Sequence, residues 1–393
     1  MEHLILVRFG EIFLKGLNRP FFLNRLVRQI RRVIVPYGGQ AILSDSRVMV
    51  TGYQDEAACT QRISKVFGVH SLCPAIAMDK GDFEAIARQA ISMMEGCTGT
   101  FKVDARRSDK QYPMNSPELA RTLGGRILSK NPGLQVDVHH PQHVLNLEIR
   151  DKAYLYVQVI PAVGGMPVGT NGRAMLLLSG GIDSPAAGWM IAKRGVSLQA
   201  VHFHSHPYTS QRALDKVLTL AKIMSESCCP ITVHVVPFTK IQMEIHQKCP
   251  SDYTTLIMRR FMMRIAQRLG QAHRCQALIT GESIGQVASQ TMEAMAVTGQ
   301  VCPLPVFRPV IGMDKEEIIR IAKQIGTFDT SSLPYEDCCT IFTPRHPATH
   351  PRMDKILEGE GALDVEGLIQ EALEGVERVY CRWDEALPAE AAD

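Results

Sequence analysis

The feature that most constrains the fold is a change of hydrophobic pattern near residue 174. From there on, short apolar runs alternate with segments of helical periodicity, and the runs at 175–178, 198–203, 232–236 and 277–280 are predicted strands. Repeated strand–helix units predict a mostly parallel, doubly wound α/β sheet with helices on both faces. Such a sheet binds its ligands beyond the carboxyl ends of the strands, so we expect the site there.

A glycine-rich turn follows the first of these strands. It consists of Ser179-Gly180-Gly181-Ile182-Asp183-Ser184 and leads directly into a predicted helix. The two glycines let the backbone approach a phosphate closely, and the start of a helix directs N–H groups at an anion. The hydroxyls of Ser179 and Ser184 add donors, and the Asp183 carboxylate is a ligand type that suits Mg²⁺. A turn without a ligand is the alternative, but the position of this hexapeptide favours phosphate.

The chain contains no Gly-Lys-Ser/Thr sequence, which excludes a Walker A loop.

The N-terminal part is predicted to form two smaller α+β units. Strands at 4–8, 40–43, 47–51 and 72–77 with helices at 21–35 and 55–67 give a β-α-β-β-α-β order, which is ferredoxin-like. Further helices are predicted from Asp82 and Ser116, with strands at 101–106, 144–149 and 154–160. The Gly- and Pro-rich segment 161–173 is the expected linker. We therefore expect domains at 1–75, 76–165 and 166–393.

Composition narrows the class of protein. The 393 residues are 45% hydrophobic and 21% charged, which is typical of a globular chain and too apolar for a disordered one. No apolar run approaches the roughly 18 residues of a membrane span. Glu2, Arg8 and Glu11 stand too early for a secretory signal peptide. We expect a soluble, cytoplasmic protein that does not bind membranes.

The cysteines point to thiol chemistry. Their number is 11, an odd count, and without a signal peptide most are expected to be reduced. There is no CxxC pair, but there are two vicinal pairs, Cys228-Cys229 and Cys338-Cys339. This pattern argues against a zinc ribbon or finger and leaves a reactive thiol open.

Basic residues are concentrated in the N-terminal half, although the formal net charge is only +3. A local basic surface on a nearly neutral chain fits a polyanionic partner. Solvated helix faces explain the charges equally well. The residues concerned are Arg25, Arg28, Arg31, Arg32, Arg106, Arg107, Lys110, Arg121, Arg126 and Lys130.

The hexapeptide SGGIDS resembles the PP-loop of the ATP pyrophosphatases. Three further segments extend the likeness, namely 8–19 (RFGEIFLKGLNR), 103–110 (VDARRSDK) and 333–344 (LPYEDCCTIFTP). Together they resemble the tRNA 4-thiouridine synthetase (tRNA sulfurtransferase) family, in a short form without the C-terminal rhodanese domain. The resemblance implies an N-terminal ferredoxin-like domain, a THUMP RNA-binding domain and a PP-loop domain, in that order.

The resemblance also implies an activity. Members of this family use ATP and Mg²⁺ to adenylate O4 of uridine 8 in tRNA, and a cysteine persulfide then replaces this oxygen to give 4-thiouridine. Many also transfer sulfur to a small carrier protein for the thiazole of thiamine. The implied partners are tRNA, a cysteine desulfurase and that carrier. A homodimer is expected if one tRNA must span two subunits.

Site residues follow from the same resemblance. The implied sulfur carrier is Cys339, with Cys338 as the neighbour that could be confused with it, and Asp183 acts on the nucleotide. A second thiol must resolve the persulfide by forming a disulfide, and the candidates are Cys338, Cys229 and an external thiol. The implied RNA contacts are Arg106, Arg107 and Lys110. The implied ATP contacts are Leu177, Leu178, Ser179, Gly180, Gly181, Ser184, His202, Phe203, Arg259, Gly281 and Gln290.

Ordinary structural roles are alternatives for several of these residues. Leu177 and Leu178 also suit a plain sheet core, and Arg259 also suits a surface ion pair. The HxHxH run 202–206 suggests a metal, but without a carboxylate or thiol at ligand spacing it favours loop histidines.

Three other functions are alternatives to the main one. A PP-loop amidating ligase acting on a small acid normally carries an amidotransferase cysteine near its start, whereas the first cysteine here is Cys59. An inert RNA-binding protein would not need an intact SGGIDS. An iron–sulfur thiouridine enzyme needs converging cysteines, for which adjacent thiols are a poor pair.

Overall fold

The computed structural model describes residues 1–44, 47–335, 341–342, 344 and 347–385. The chain divides into two compact units, residues 1–165 and 166–393. Among the described residues, no helix has the length and apolarity that crossing a membrane requires.

The first half of the N-terminal unit has the predicted β-α-β-β-α-β order. Its strands pair antiparallel in the order β2-β3-β1-β4. Asn18 is the N-cap residue of the first helix, but its side chain makes no capping hydrogen bond. The elements are β1 (Glu2–Phe9), a 3-10 helix (Glu11–Asn18), α1 (Arg19–Ile34), a 3-10 turn (Val35–Tyr37), β2 (Gln40–Ser44), β3 (Arg47–Thr51), α2 (Glu56–Ser64) and β4 (Val69–Met78).

The second half continues the same sheet. Strand β4 pairs with β1 on one side and with β8 and β9 on the other, so one sheet of nine strands runs through the whole unit. The predicted strand 154–160 is two strands. The elements are α3 (Phe83–Met93), β5 (Gly99–Arg107), α4 (Ser116–Leu128), β6 (Leu134–Val136), β7 (His143–Ile149), β8 (Ala153–Tyr156) and β9 (Ile160–Pro161).

A buried carboxylate joins the two halves of this sheet. Glu148 on β7 accepts hydrogen bonds from Arg8 (3.0 Å), Arg47 (2.6 Å), Arg150 (3.0 Å) and the Tyr156 hydroxyl (2.8 Å). Burial acts to raise the pKa of Glu148, but the surrounding guanidiniums outweigh it and lower the pKa to about 2. Arg8 and Arg47 come from β1 and β3, so this cluster fixes the ferredoxin-like strands to their neighbours.

The second unit is the predicted α/β domain. Its six strands have the order β14-β13-β10-β11-β12-β15, and all pairs are parallel except β12 with β15. The elements are β10 (Arg173–Leu177), α5 (Asp183–Ala192), β11 (Ser197–His204), α6 (Gln211–Cys228), β12 (Ile231–Pro237), α7 (Thr239–Lys248), a 3-10 turn (Ser251–Tyr253), α8 (Thr254–Ala272), β13 (Ala277–Ile279), α9 (Met292–Gly299), β14 (Val306–Phe307), α10 (Lys315–Ile325), α11 (Phe328–Ser331), α12 (Met353–Gly361), α13 (Val365–Glu374) and β15 (Glu377–Cys381).

The strand order places a crevice at the centre of this sheet. Strand β10 is first in the chain, the next two strands are added on one side of it, and β13 and β14 are added on the other. The connections therefore diverge between β10 and β13, and such a switch point opens at the carboxyl ends of the strands. The mostly parallel sheet predicted from the sequence is confirmed.

Helix α8 forms the centre of the core in this unit. Its side chains Ile257, Phe261 and Ile265 are fully buried among residues of the sheet and of the C-terminal helices. A bidentate pair from Arg260 to Glu360 (2.8 and 2.9 Å) joins α8 to α12. The sequence pattern predicts no element after residue 325, and the structure adds α11, α12, α13 and β15 there.

Candidate active site

The glycine-rich turn is held closed by its own serines. The backbone N–H of Ser179 donates to Ser184 Oγ (2.9 Å), and Gly181 N–H donates to Ser179 Oγ (3.2 Å). The two hydroxyl oxygens lie 3.1 Å apart. Helix α5 begins within this hexapeptide, at Asp183, and its N-cap residue Ile182 provides no capping side chain. The two serines thus stabilise the loop, a role that the sequence did not predict. The unpaired N–H groups at the start of the helix suit an anion.

Asp183 lies at the start of α5 and pairs with a lysine from a distant helix. Its Oδ1 accepts from Lys315 Nζ (2.6 Å) and its Oδ2 accepts from Gln286 Nε2 (2.8 Å). Lys315 is the first residue of α10 and was missed by sequence analysis. Nothing in the local pattern signals it, because 132 residues separate it from Asp183.

A cavity of about 320 Å³ opens beside this loop, beyond the ends of β10, β11 and β13. This size lies in the usual range for small-molecule sites. Gly180 and Gly181 belong to the turn and are not part of the cavity wall. The predicted residues that do form the wall are Leu177, Leu178, Ser179, Asp183, Ser184, His202, Phe203, Arg259, Gly281 and Gln290.

One wall of the cavity is apolar. Three methionines of α8, Met258, Met262 and Met263, face it together with Val201 and Phe203. The sequence does not mark these methionines as site residues, because their helical spacing is the ordinary pattern of a core. The alternative assignment of Leu178 to the sheet core is also correct in part, because this residue is 2% exposed and belongs to the core as well as to the cavity wall.

The cavity lining also carries buried charge. Glu282 receives an ion pair from Arg259 and hydrogen bonds from Arg308 Nε (2.7 Å) and Thr280 Oγ1 (2.8 Å), and Arg259 also donates to Ser289 Oγ (3.1 Å). Burial acts to raise the pKa of Glu282, but Arg259 and Arg308 outweigh it and lower the pKa. Arg259 therefore has the ion pair considered above, but in the cavity wall instead of on the surface.

Two further groups shape the cavity. The amide oxygen of Gln290 is buried and has no hydrogen-bond partner, so the wall contains an acceptor that a bound N–H or O–H group would satisfy. Gly281 lies against the start of α5. A Cβ at this position would be 2.6 Å from Ser184 N and 2.8 Å from the Asp183 carbonyl carbon. Only glycine lets the end of β13 come this close to the loop.

The alternating histidines do not form a metal site in the part of the chain that the structure describes. The ring centroids of His202 and His204 lie 6.4 Å apart, as do those of His204 and His206. No group of three or more His, Cys, Asp or Glu side chains among the described residues is placed to hold a metal ion. His202 Nδ1 instead lies 3.1 Å from the Leu178 carbonyl, which ties β11 to the end of β10.

The predicted sulfur carriers, Cys339 and Cys338, lie outside the described residues, so their order stays a prediction. Cys229 follows α6 and precedes β12, at the amino ends of the parallel strands. The 18 residues of α6 extend roughly 27 Å, which puts Cys229 at the opposite edge of the sheet from the cavity. This placement argues against Cys229 as the resolving thiol.

Several other cysteines are poor nucleophiles. Burial raises the thiol pKa of Cys249, Cys275 and Cys381 to about 11 in each case. It also raises the pKa of Cys59, Cys73, Cys228 and Cys302.

The three predicted RNA contacts differ in exposure. The Arg106 side chain is 71% exposed on β5 and pairs with Asp104 (3.0 Å). Lys110 is exposed as well. Arg107 instead donates to the carbonyls of Lys110 (3.2 Å) and Tyr112 (2.8 Å), so it stabilises the loop after β5.

Comparison with known proteins decides the family. The model of the thiamine biosynthesis protein ThiI matches residues 169–365, that of the ThiI ferredoxin-like domain matches 4–73, and that of the THUMP domain matches 80–158. A probable tRNA sulfurtransferase of Acetivibrio thermocellus is 51% identical over 388 residues, which cover 96% of this chain and 98% of the relative. The chain belongs to the ThiI family of tRNA sulfurtransferases.

Further relatives of the ThiI family agree. A probable tRNA sulfurtransferase of Alkaliphilus oremlandii is 48% identical over 384 residues, covering 96% of this chain and 98% of the relative. A crystal structure of a 4-thiouridine synthetase–RNA complex with bound ATP matches with a TM-score of 0.91 and 36% identity, over 97% of this chain and 100% of that one. The predicted family and fold are confirmed.

Proposed function

We propose that this chain is a tRNA uridine 4-sulfurtransferase that uses ATP. It adenylates O4 of uridine 8 and then replaces that oxygen with sulfur from a cysteine persulfide. The observation that carries this proposal is the cavity beside the SGGIDS turn, which combines an apolar wall with the Arg259 cation and lies at a helix start that has no capping side chain. The related 4-thiouridine synthetase, which binds RNA and ATP in its crystal structure, supports the assignment.

The cavity lining suggests the orientation in which we propose that ATP binds. The methionines of α8, with Leu177 and Phe203, offer an apolar surface for adenine, and the Gln290 amide oxygen offers an acceptor for an adenine or ribose donor. The phosphates then face the start of α5, where the Arg259 and Lys315 side chains add positive charge.

The residues present are compatible with Mg²⁺ at Asp183. Each oxygen of this carboxylate accepts one hydrogen bond and keeps a further lone pair. Mg²⁺ is commonly held by one or two carboxylates together with substrate phosphates and water, so a single protein carboxylate is sufficient. When bound there, the ion would neutralise charge on the pyrophosphate group.

The first step forms a good leaving group. O4 of the uridine attacks the α-phosphorus of ATP, the bond from that phosphorus to the bridging oxygen breaks, and pyrophosphate leaves. Arg259, Lys315 and the N–H groups at the start of α5 stabilise the negative charge that develops on the phosphates. The product is a uridine whose O4 is esterified with AMP.

The second step transfers sulfur. The terminal sulfur of a persulfide on Cys339 attacks C4, the C4–O4 bond breaks, and AMP leaves. A second thiolate, that of Cys338 or of an external thiol, attacks the cysteine sulfur. The S–S bond to the uridine then breaks, 4-thiouridine is released and a disulfide remains. A thiol reductant restores the enzyme.

The proposal includes partners. A cysteine desulfurase supplies the persulfide sulfur, tRNA contacts Arg106 and Lys110, and the homodimer is the form that binds tRNA in the cytoplasm. Sulfur transfer to the thiamine sulfur-carrier protein is a second activity, which the description of the matching family model as a thiamine biosynthesis protein supports. We propose 1–75, 76–165 and 166–393 as the ferredoxin-like, THUMP and PP-loop domains.

A single reaction tests this function. Unmodified tRNA is incubated with the protein, ATP, Mg²⁺, a cysteine desulfurase and cysteine, and its nucleosides are analysed. Absence of 4-thiouridine would refute the proposal. Asp183→Ala is expected to stop pyrophosphate release, whereas Asp329→Ala, at an exposed position of the same unit, serves as the matched control.

A further inference from the structure

Glu282 places a buried carboxylate in the wall of the cavity proposed for ATP. Its side chain is 6% exposed. The backbone on both sides of it is fixed, because the Thr280 N–H donates to the Phe307 carbonyl (3.0 Å) and Ser283 Oγ donates to the Met313 carbonyl (2.9 Å). A negative charge beside a site for an anionic nucleotide is electrostatically unfavourable. The carboxylate therefore needs a role that outweighs this cost.

The contacts of Glu282 indicate that role. One carboxylate oxygen pairs with Arg259 NH2, and the other accepts a hydrogen bond from Arg308 Nε (2.7 Å). Two guanidiniums and one carboxylate together carry a net charge of +1, so this part of the wall still attracts phosphates. Arg308 thus offsets the charge of Glu282, and the carboxylate is free to orient Arg259.

The guanidinium of Arg259 is held at two separate nitrogens. NH2 contacts Glu282, and NH1 donates to Ser289 Oγ (3.1 Å). An arginine side chain otherwise has many rotamers, and the two contacts restrict them before any nucleotide binds. Within the described part of the chain, these contacts use two of the five guanidinium N–H donors and leave three for a ligand.

We propose that Glu282 is a positioning residue, which holds the Arg259 guanidinium where negative charge develops as pyrophosphate leaves. Ser289 is the second contact in this arrangement. A donor that is already oriented stabilises the developing charge most, because it does not have to reorganise during the reaction. This inference rests on the proposed function, and it concerns the adenylation step alone.

The test separates ATP binding from catalysis. Glu282→Gln keeps the size of the side chain and removes its charge. Arg259 keeps its own charge in this variant but loses its fixed orientation, so the Kd for ATP in calorimetry should stay within about twofold of the wild-type value. The kcat for pyrophosphate release with tRNA should fall roughly 100-fold, as expected when one transition-state donor is misplaced by about 1 Å.

A double-mutant cycle tests whether Glu282 acts through Arg259. Arg259→Gln alone should lower kcat. Adding Glu282→Gln in that background should lower kcat by less than about threefold more, because no guanidinium is left to position. Losses that multiply in the double variant would mean that the two residues act independently, and the inference would then be wrong.

Glu360→Gln is the matched control. Glu360 is also a buried carboxylate that pairs with two arginines of α8, Arg260 and Arg264, but it does so at the contact between α8 and α12. This variant should melt at a lower temperature and keep the kcat of its folded protein within about twofold of the wild-type value. If Glu360→Gln loses as much kcat as Glu282→Gln, the loss reports destabilisation and the positioning role is refuted.

The remaining outcomes separate the inference from the function. A wild-type kcat in Glu282→Gln, or an effect confined to ATP affinity, overturns the inference. If the wild type itself releases no pyrophosphate from ATP with tRNA, the proposed function fails instead. Should Glu282→Gln not fold, Ser289→Ala decides, because Ser289 is a half-buried loop residue. That variant should lose at least threefold in kcat with unchanged ATP affinity, and an unchanged kcat would refute the role.

Discussion

Replacement of Gly281 by alanine tests how the ATP site is assembled. The added Cβ would lie 2.6 Å from Ser184 N, 2.8 Å from the Asp183 carbonyl carbon and 2.9 Å from Ser184 Cα. All three are backbone atoms, so no side chain can rotate away to relieve the overlap. Ordinary contact begins near 3.4 Å, and the start of α5 and the end of β13 must therefore separate by roughly 0.8 Å.

This separation should weaken ATP use far more than it weakens the fold. Overpacking of this kind costs about 1–3 kcal/mol of stability. A misplacement near 1 Å at the reacting groups costs about 100-fold in rate, which corresponds to roughly 2.7 kcal/mol. We expect kcat/KM for ATP in pyrophosphate release to fall 30- to 100-fold, with weaker ATP binding in calorimetry.

Gly312→Ala provides the matched control, because a Cβ at Gly312 meets no atom within 4 Å. It should retain wild-type ATP binding and turnover. The reasoning is refuted if Gly281→Ala melts at a lower temperature but binds ATP with wild-type affinity. In that case the backbone around Ser184 does not face the phosphates.

Three further predictions concern the cysteines, the RNA surface and pH. Cys339→Ser should abolish 4-thiouridine formation and retain pyrophosphate release; an inactive Cys338→Ser with an active Cys339→Ser would reverse their order. Replacing Arg106 and Lys110 by glutamine should weaken tRNA binding and reduce the slope of log K against log salt by about two, and unchanged affinity would move the RNA surface elsewhere. Glu148 has a folded pKa of about 2, below its ordinary 4.5, so its stabilisation is complete above pH 4.5 and lost as pH falls toward 2. This loss, roughly 3 kcal/mol, should be measurable by denaturant unfolding and absent from Glu148→Gln; equal acid sensitivity of both proteins would contradict it.

Much of the site was predictable because it is local in the chain. The turn at 179–184 joins a strand to a helix within six residues, so its glycines and serines predict a phosphate loop without knowledge of any tertiary contact. The ends of neighbouring parallel strands meet at one edge of the sheet, which explains why His202 and Gly281 also line the cavity.

The lysine that contacts the site from a distant part of the chain was not predictable from the sequence. Lys315 reaches Asp183 across 132 residues. It lies on an amphipathic helix whose periodicity is satisfied whether or not the side chain has a distant partner. The C-terminal elements were missed for a similar reason, since their acidic residues look solvated until Glu360 is seen between Arg260 and Arg264.

The amino-acid sequence by itself determined the order of most strands and helices before residue 326, the position of the phosphate loop and the family, because each depends on the spacing of nearby residues. Only the tertiary structure decided which charges face the cavity, that Ser179 and Ser184 stabilise the loop, and that Glu282 pairs with Arg259 in the cavity wall. These contacts join residues far apart in the chain, and their free energy arises only when folding brings the partners together and removes them from water.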